Sequence, residues 1–369
     1  MNKKPIFLEL YTDIGFQIIL DQKTGKVRQY NSSINEELQA FQTGAAVRDI
    51  STHTLLSLKG KDALNFVHRI STNSVKDILV NETVRTTFTN EKGRILDSTL
   101  LMRLQETLTI IGSESTEEIL SYWLNKYIIT DDIAVESLYR KEFAFEITGP
   151  QADSLMILLF GETAKKPEEF KVYTVLMDAH AIKFTVQKER NGQKKYIIFG
   201  PVIAGRELIR QFKYSSSLFD VRFIGIEAYK HYRIEEGIPG EQELNDKFNP
   251  LESNISEEVN FKKGYYIGQE VISRIDTNGK TIKQLRGFIL EEKIDNGIDF
   301  MIFDEENREV GVLTSIVYSE DRQKSIALGY LKKQLLEQDI RLFIESEKRM
   351  LPLFRRNFIS YENLYQNRR

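Results

Sequence analysis

Lys263-Gly264-Tyr265-Tyr266-Ile267-Gly268-Gln269-Glu270 reads as a glycine-marked loop running into a helix. Two glycines flank a pair of aromatics and let the backbone turn tightly and come close to a ligand. A cation precedes them. The polar pair Gln269-Glu270 opens a helix expected over 269–275, stopped by the turn Asp276-Thr277-Asn278-Gly279. Unsatisfied N–H groups at such a helix start attract an anion or a ligand dipole. The competing reading is an ordinary loop-to-helix junction, since short motifs arise readily by chance.

Upstream, the chain repeats itself. A strand, a glycine turn and an amphipathic helix run through Leu56, Gly60, Ala63 and Phe66, and again through Phe145, Gly149, Ala152 and Leu155. Further on, the strand ending at Gly112 leads into a helix over 117–127, and the strand ending at Gly200 leads into one over 206–212. Near-equal spacing at two separate points predicts two copies of one α+β unit, about 47–137 and 140–240. Alternation over 99–104 and 182–187 predicts half-exposed antiparallel strands, and Asn191-Gly192 a hairpin turn. Residues 161–170 form a surface connection. Downstream, short strands over 285–290, 300–303, 310–317, 325–331 and 340–344 predict a small β-barrel or sandwich spanning 281–350, with a basic tail over 351–369. The fold class expected is therefore α+β: two antiparallel-sheet units in 1–280, the octapeptide segment 260–279, and a barrel.

Composition narrows the function. A hydrophobic content of 41% with 28% charged residues is that of a globular protein. The net charge of −3 gives no general pull toward nucleic acid. No apolar run approaches the roughly 20 residues of a membrane helix, and Glu9 and Asp13 interrupt any signal-peptide core, so a cytoplasmic location is expected. With no cysteine there is no disulfide, thiolate zinc site or cysteine nucleophile. His53, His68, His180 and His231 lack the spacing of a helical metal site, so no bound metal is expected.

The octapeptide resembles the K-G-C-Y-x-G-Q-E signature of the YgfZ family of folate-binding proteins, relatives of the glycine-cleavage T-protein, with Tyr265 in the place of the family's cysteine. Arg233-Ile-Glu-Glu-Gly-Ile-Pro239, Glu243-Leu244, Pro250-Leu-Glu252 and Arg274 agree with the family too, and the likeness runs from about Ala45 to Leu331. The resemblance implies tetrahydrofolate or a one-carbon derivative as ligand and support of iron–sulfur cluster assembly or repair, with iron–sulfur client or assembly proteins as partners. Tyr265 cannot stand in for a cysteine nucleophile, because a phenol of pKa about 10 stays protonated at neutral pH.

Four residues are candidates for holding the folate. Asp97, in the run Gly93-Arg94-Ile95-Leu96-Asp97, sits at the mouth of a strand, where a carboxylate can accept hydrogen bonds from a planar heterocycle; the alternative is that it ends a turn. By the resemblance it matches the first of two consecutive T-protein aspartates, and Ser98 replaces the second. Arg94 precedes it. Tyr229 and Arg233 share a face of the helix expected over 225–237: a tyrosine can sandwich a flat ring and an arginine can grip a glutamate tail, unless they are simply an exposed helix with ion pairs. Lys263, Tyr265 and Tyr266 are expected to line the mouth of the site. The T-protein's Tyr-Thr-Gly-Glu segment, whose glutamate holds the pterin, corresponds to Tyr196-Ile-Ile-Phe-Gly200, which has no carboxylate. That argues against full aminomethyltransferase activity, which stays the alternative, beside a scaffold that binds no folate.

Overall fold

Residues 3–30, 33–189, 192–277, 281–294 and 299–356 are described by a computed structural model. Asn191 of the expected hairpin turn, Asn278 and Gly279 of the expected helix stop, and the tail from 357 lie outside the described residues. The chain divides into two compact units. Among the described residues, the first holds those up to His68, Ser74–Thr86 and Thr99–Tyr229; the second holds Arg69–Asn73, Thr87–Ser98 and those from Lys230 onward.

Before the repeat come α1 (Leu8–Asp13), β1 (Ile19–Leu20), β2 (Val27–Gln29), α2 (Ile34–Thr43) and β3 (Ala45–Asp49). A reciprocal cap starts α2: the Ser33 side chain accepts the Glu36 N–H, and the Glu36 carboxylate accepts the Ser33 N–H. The first copy is β4 (Leu55–Lys59), α3 (Ala63–Ile70), β5 (Glu82–Thr89), β6 (Ile95–Arg103), β7 (Thr107–Ile111), α4 (Glu117–Tyr127) and β8 (Ala134–Ser137). The second is β9 (Glu142–Thr148), α5 (Ala152–Phe160), β10 (Val172–Met177), β11 (His180–Lys188), β12 (Lys194–Pro201), α6 (Val202–Ser215) and β13 (Val221–Phe223). The first sheet runs β5-β6-β7-β4-β8 and the second β10-β11-β12-β9-β3-β13. Four strands of each copy thus lie in the same spatial order, so the duplication is one of topology.

One strand departs from the expected boundaries. β3, at the start of the expected first copy, joins the second sheet, antiparallel to β9 and parallel to β13. Burial explains it: Ala45 and Val47 belong to the same core as Phe143, Phe145, Ile147, Phe184 and Ile198. β9 shows the period of two directly. Phe143, Phe145 and Ile147 face that core, while Ala144 on the opposite face joins Leu55, Leu100, Met102, Ile197 and Phe199 in another. Burying each large side chain is worth about 1.5–3 kcal/mol. Expected as half-exposed, β6 is instead buried on both faces from Asp97 to Met102. One face is covered by the second apolar cluster, a layer that alternation in a single strand cannot reveal.

After β13, α7 (Ile226–Glu235) starts in the first unit and ends in the second, where α8 (Gln269–Thr277) and then the barrel follow. The barrel strands are β14 (Lys283–Leu290), β15 (Phe300–Phe303), β16 (Glu309–Ser319), β17 (Lys324–Lys332), β18 (Leu342–Ser346) and β19 (Arg349–Arg356). They close in the order β14-β17-β16-β15-β18-β19, which leaves no free edge. β19 carries the barrel to Arg356, past the expected boundary at 350. Pro352 hides this strand from sequence reading. It is tolerated because β19 pairs with β14 only at 354–356, while Pro352 faces β18.

Candidate functional site

The octapeptide and the Asp97 segment, remote in sequence, fall in the same unit. Gly93 and Gly268 hold them together. Both have positive φ, +68° and +83°. A Cβ on Gly268 would lie 2.7 Å from the Asn90 carbonyl and 2.9 Å from the Gly93 Cα, so only glycine fits. Across the same contact the Thr89 hydroxyl donates to the Ile267 carbonyl at 2.8 Å. Gly264 differs, since a Cβ there meets nothing within 4 Å. The close approach read from the two glycines is thus made at Gly268 only, and to the chain's own backbone.

From this contact α8 runs from Gln269 to Thr277, two residues beyond the expected end. Glu270 and Arg274 are exposed, and the Gln269 side-chain amide donates to the Lys263 carbonyl at 3.4 Å. Tyr265 is 76% exposed, whereas Tyr266 is fully buried against Val259, Ile272 and Leu251. Tyr266 is therefore a packing residue and does not line a mouth. Burial, with Asp276 nearby, pushes its phenol up to about 12, and among the described residues its hydroxyl makes no hydrogen bond.

The Lys263 side chain turns back over the loop. Its Nζ donates to the Ser71 and Asn73 carbonyls at 2.7 and 2.9 Å and lies 5.2 Å from the centre of the Tyr266 ring. Burial lowers its pKa to about 7, because desolvation penalises the charged form. Asp97 is fully buried. Its neighbour Ser98 donates to the carboxylate of Glu258, which also accepts from Thr87 at 2.6 Å. Arg94 is partly exposed, paired with Glu252 at 3.0 Å and donating to the Lys247 carbonyl at 3.2 Å.

Arg233 requires a correction. Its guanidinium is buried and bound within the second unit, at 2.9 Å to Glu243 and 2.7 Å to the Ser315 hydroxyl. Glu243, itself fully buried, also accepts from the Gly240 N–H and from Thr314 and Ser315. A carboxylate of this chain occupies the arginine, which is not presented to the tail of a ligand. Tyr229, in the first unit, has the Arg48 guanidinium 3.5 Å over its ring, so one of its faces is covered and a sandwich would need that cation to move.

Arg48 belongs to a largely buried charge cluster in the first unit that sequence reading missed. Glu146, directly across from Arg48 on β9, binds it at 2.7 Å, and Lys195 bridges Glu146 and Glu189 at 3.8 and 3.3 Å. Burial alone would raise Glu146, but Arg48 and Lys195 outweigh it and hold the carboxyl at about 2. Burial first, then Arg48, lowers His53 to about 4. The segment 196–200 is indeed without a carboxylate, yet Glu146 sits opposite Ile197 on the next strand. A charged residue between Phe145 and Ile147 was the available signal. For Glu258, in the polar run Ser256-Glu257-Glu258, there was none. Among the described residues no group of acidic, histidine or cysteine side chains could hold a metal, and no helix is long and apolar enough to cross a membrane.

Paired α+β sheets followed by a closed barrel define a known class of protein. The fold matches the crystal structure of the glycine cleavage system aminomethyltransferase T from Bartonella henselae at a TM-score of 0.84, over 97% of both chains with 18% identity. Residues 11–263 match the GCVT N-terminal domain and 283–354 the glycine cleavage T-protein C-terminal barrel domain; the chain belongs to this family. It is also 24% identical over 332 residues, 89% of its length and 74% of the relative's, to the Arabidopsis thaliana protein named "Putative transferase At1g60990, chloroplastic".

Proposed function

We propose that this chain is a tetrahydrofolate-binding protein of the YgfZ kind that assists assembly or repair of iron–sulfur enzymes in the cytoplasm. The observation that carries the reading is the gathering in one unit of the octapeptide, the buried Asp97 and the half-buried Lys263. A carboxylate for ring N–H groups and a cation for an acidic arm suit the chemistry of a folate. Arg233 is taken up by Glu243 and has no part in this binding, and Arg94 is paired with Glu252. Isothermal titration with tetrahydrofolate tests it: micromolar binding is expected, and no heat at high micromolar ligand would overturn it.

A one-carbon transferase is the second reading, favoured by the transferase name of the plant relative and the aminomethyltransferase fold. Formation of methylenetetrahydrofolate in a coupled assay would select it.

Lys263 makes the binding pH-dependent. Its amine is charged below about 7 and neutral above, and an anionic arm binds the charged form. Affinity is therefore expected to weaken by up to about tenfold per pH unit above neutrality, with proton uptake on binding at alkaline pH. Lys263→Met should flatten the profile; an unchanged profile in that variant removes the lysine from the site.

A further inference from the structure

We propose that Glu258 is a positioning residue for Asp97: by gripping Ser98 and Thr87 it sets which face of β6 carries the Asp97 carboxylate. The inference rests on the folate reading above and deepens it. Both Glu258 oxygens accept from the Ser98 hydroxyl, at 2.8 and 2.9 Å, and one also accepts from Thr87 at 2.6 Å. The Glu258 carbonyl accepts from the Thr72 hydroxyl at 2.6 Å, and that hydroxyl oxygen in turn accepts the Thr87 N–H at 3.0 Å. The Thr72 N–H donates to the Thr87 carbonyl, also at 3.0 Å. Three segments, 69–73, 87–98 and the turn at Glu258, are thereby locked in one buried array.

Successive side chains of a strand point to opposite faces. Holding Ser98 on the Glu258 side commits Asp97 to the other, and a slip of one residue would exchange them. The same contact accounts for the serine. An aspartate at 98 would bring a second carboxylate to within hydrogen-bond distance of Glu258, in a buried setting where like charges cannot both ionise. Ser98 and Glu258 form a matched pair, in which the acidic group sits on the turn and not on the strand.

The test is a double-mutant cycle read by tetrahydrofolate titration, with urea unfolding of each variant alongside. Glu258→Ala and Ser98→Ala should each weaken binding by about tenfold or more, the scale of a lost charge-assisted hydrogen bond. Glu258→Ala should add nothing in an Asp97→Asn background, because it acts through Asp97. Ser98→Asp should abolish binding, and Ser98→Asp with Glu258→Ala should restore part of it. Unchanged affinity in Glu258→Ala, or a loss additive with Asp97→Asn, overturns the positioning role while leaving the folate reading intact. Absence of binding by the unaltered chain overturns both. Should Glu258→Ala fail to fold, Glu258→Gln, which keeps the shape and one acceptor, takes its place in the cycle.

Discussion

Replacing Glu243 with alanine is expected to lower the stability of the second unit by about 3–5 kcal/mol, the cost of leaving one member of a buried ion pair without its partner. Arg233 would keep Ser315 at 2.7 Å but lose its only carboxylate among the described contacts. The Gly240 N–H, Thr314 and Ser315 would each lose an acceptor as well. The pair ties α7 to the barrel strand β16, which carries Thr314 and Ser315. Urea unfolding measures the effect. A second variant isolates its origin: Arg233→Met with Glu243→Leu removes both charges, and apolar replacement of a complete pair is often close to neutral. The double variant should therefore be markedly more stable than Glu243→Ala. Equal instability of the two would mean that packing, and not an uncompensated charge, sets the loss.

Gly268→Ala should cost about 2–4 kcal/mol, combining left-handed backbone strain with a collision. At φ +83° a side chain is disfavoured, and its Cβ would stand 2.7 Å from the Asn90 carbonyl, a backbone atom that cannot swing aside. The variant must push the octapeptide off the Gly93 turn and break the Thr89–Ile267 hydrogen bond. Gly264→Ala is the control. It has open space and should stay within about 0.5 kcal/mol of the parent. Denaturant melts of the two variants separate them; similar losses in both would show that general loop flexibility, not contact with Gly93, is what Gly268 provides.

Much of the fold was legible in the residues. Short strand-like runs marked most barrel strands, and the recurring strand-glycine-helix pattern marked both copies, because each depends on residues close together in the chain. β3 was misplaced because its apolar face, Ala45 and Val47, matches two possible sheets and local pattern does not choose between them. β19 was missed because proline argues against a strand unless its pairing on each side is known. At the site, the octapeptide and Asp97 stood out as motifs. Glu258 and Glu146 did not: a glutamate in a polar turn, or alone in a strand, becomes significant only through what lies opposite.

Neighbours in sequence thus set the class of this chain: an α+β duplication, a barrel, a glycine loop opening a helix, and no cysteine chemistry. Short-range sterics and burial period are enough for that. The assignment of individual charges was settled by folding alone. Arg233 reads as a ligand-gripping cation on its helix and becomes the partner of Glu243. Tyr266 reads as a ring at a pocket mouth and is fully buried. Ser98 reads as a lost aspartate and proves to be the donor to Glu258. A buried charge must find a partner wherever the chain brings one, and those partners lie too far along the sequence for any local pattern to name them.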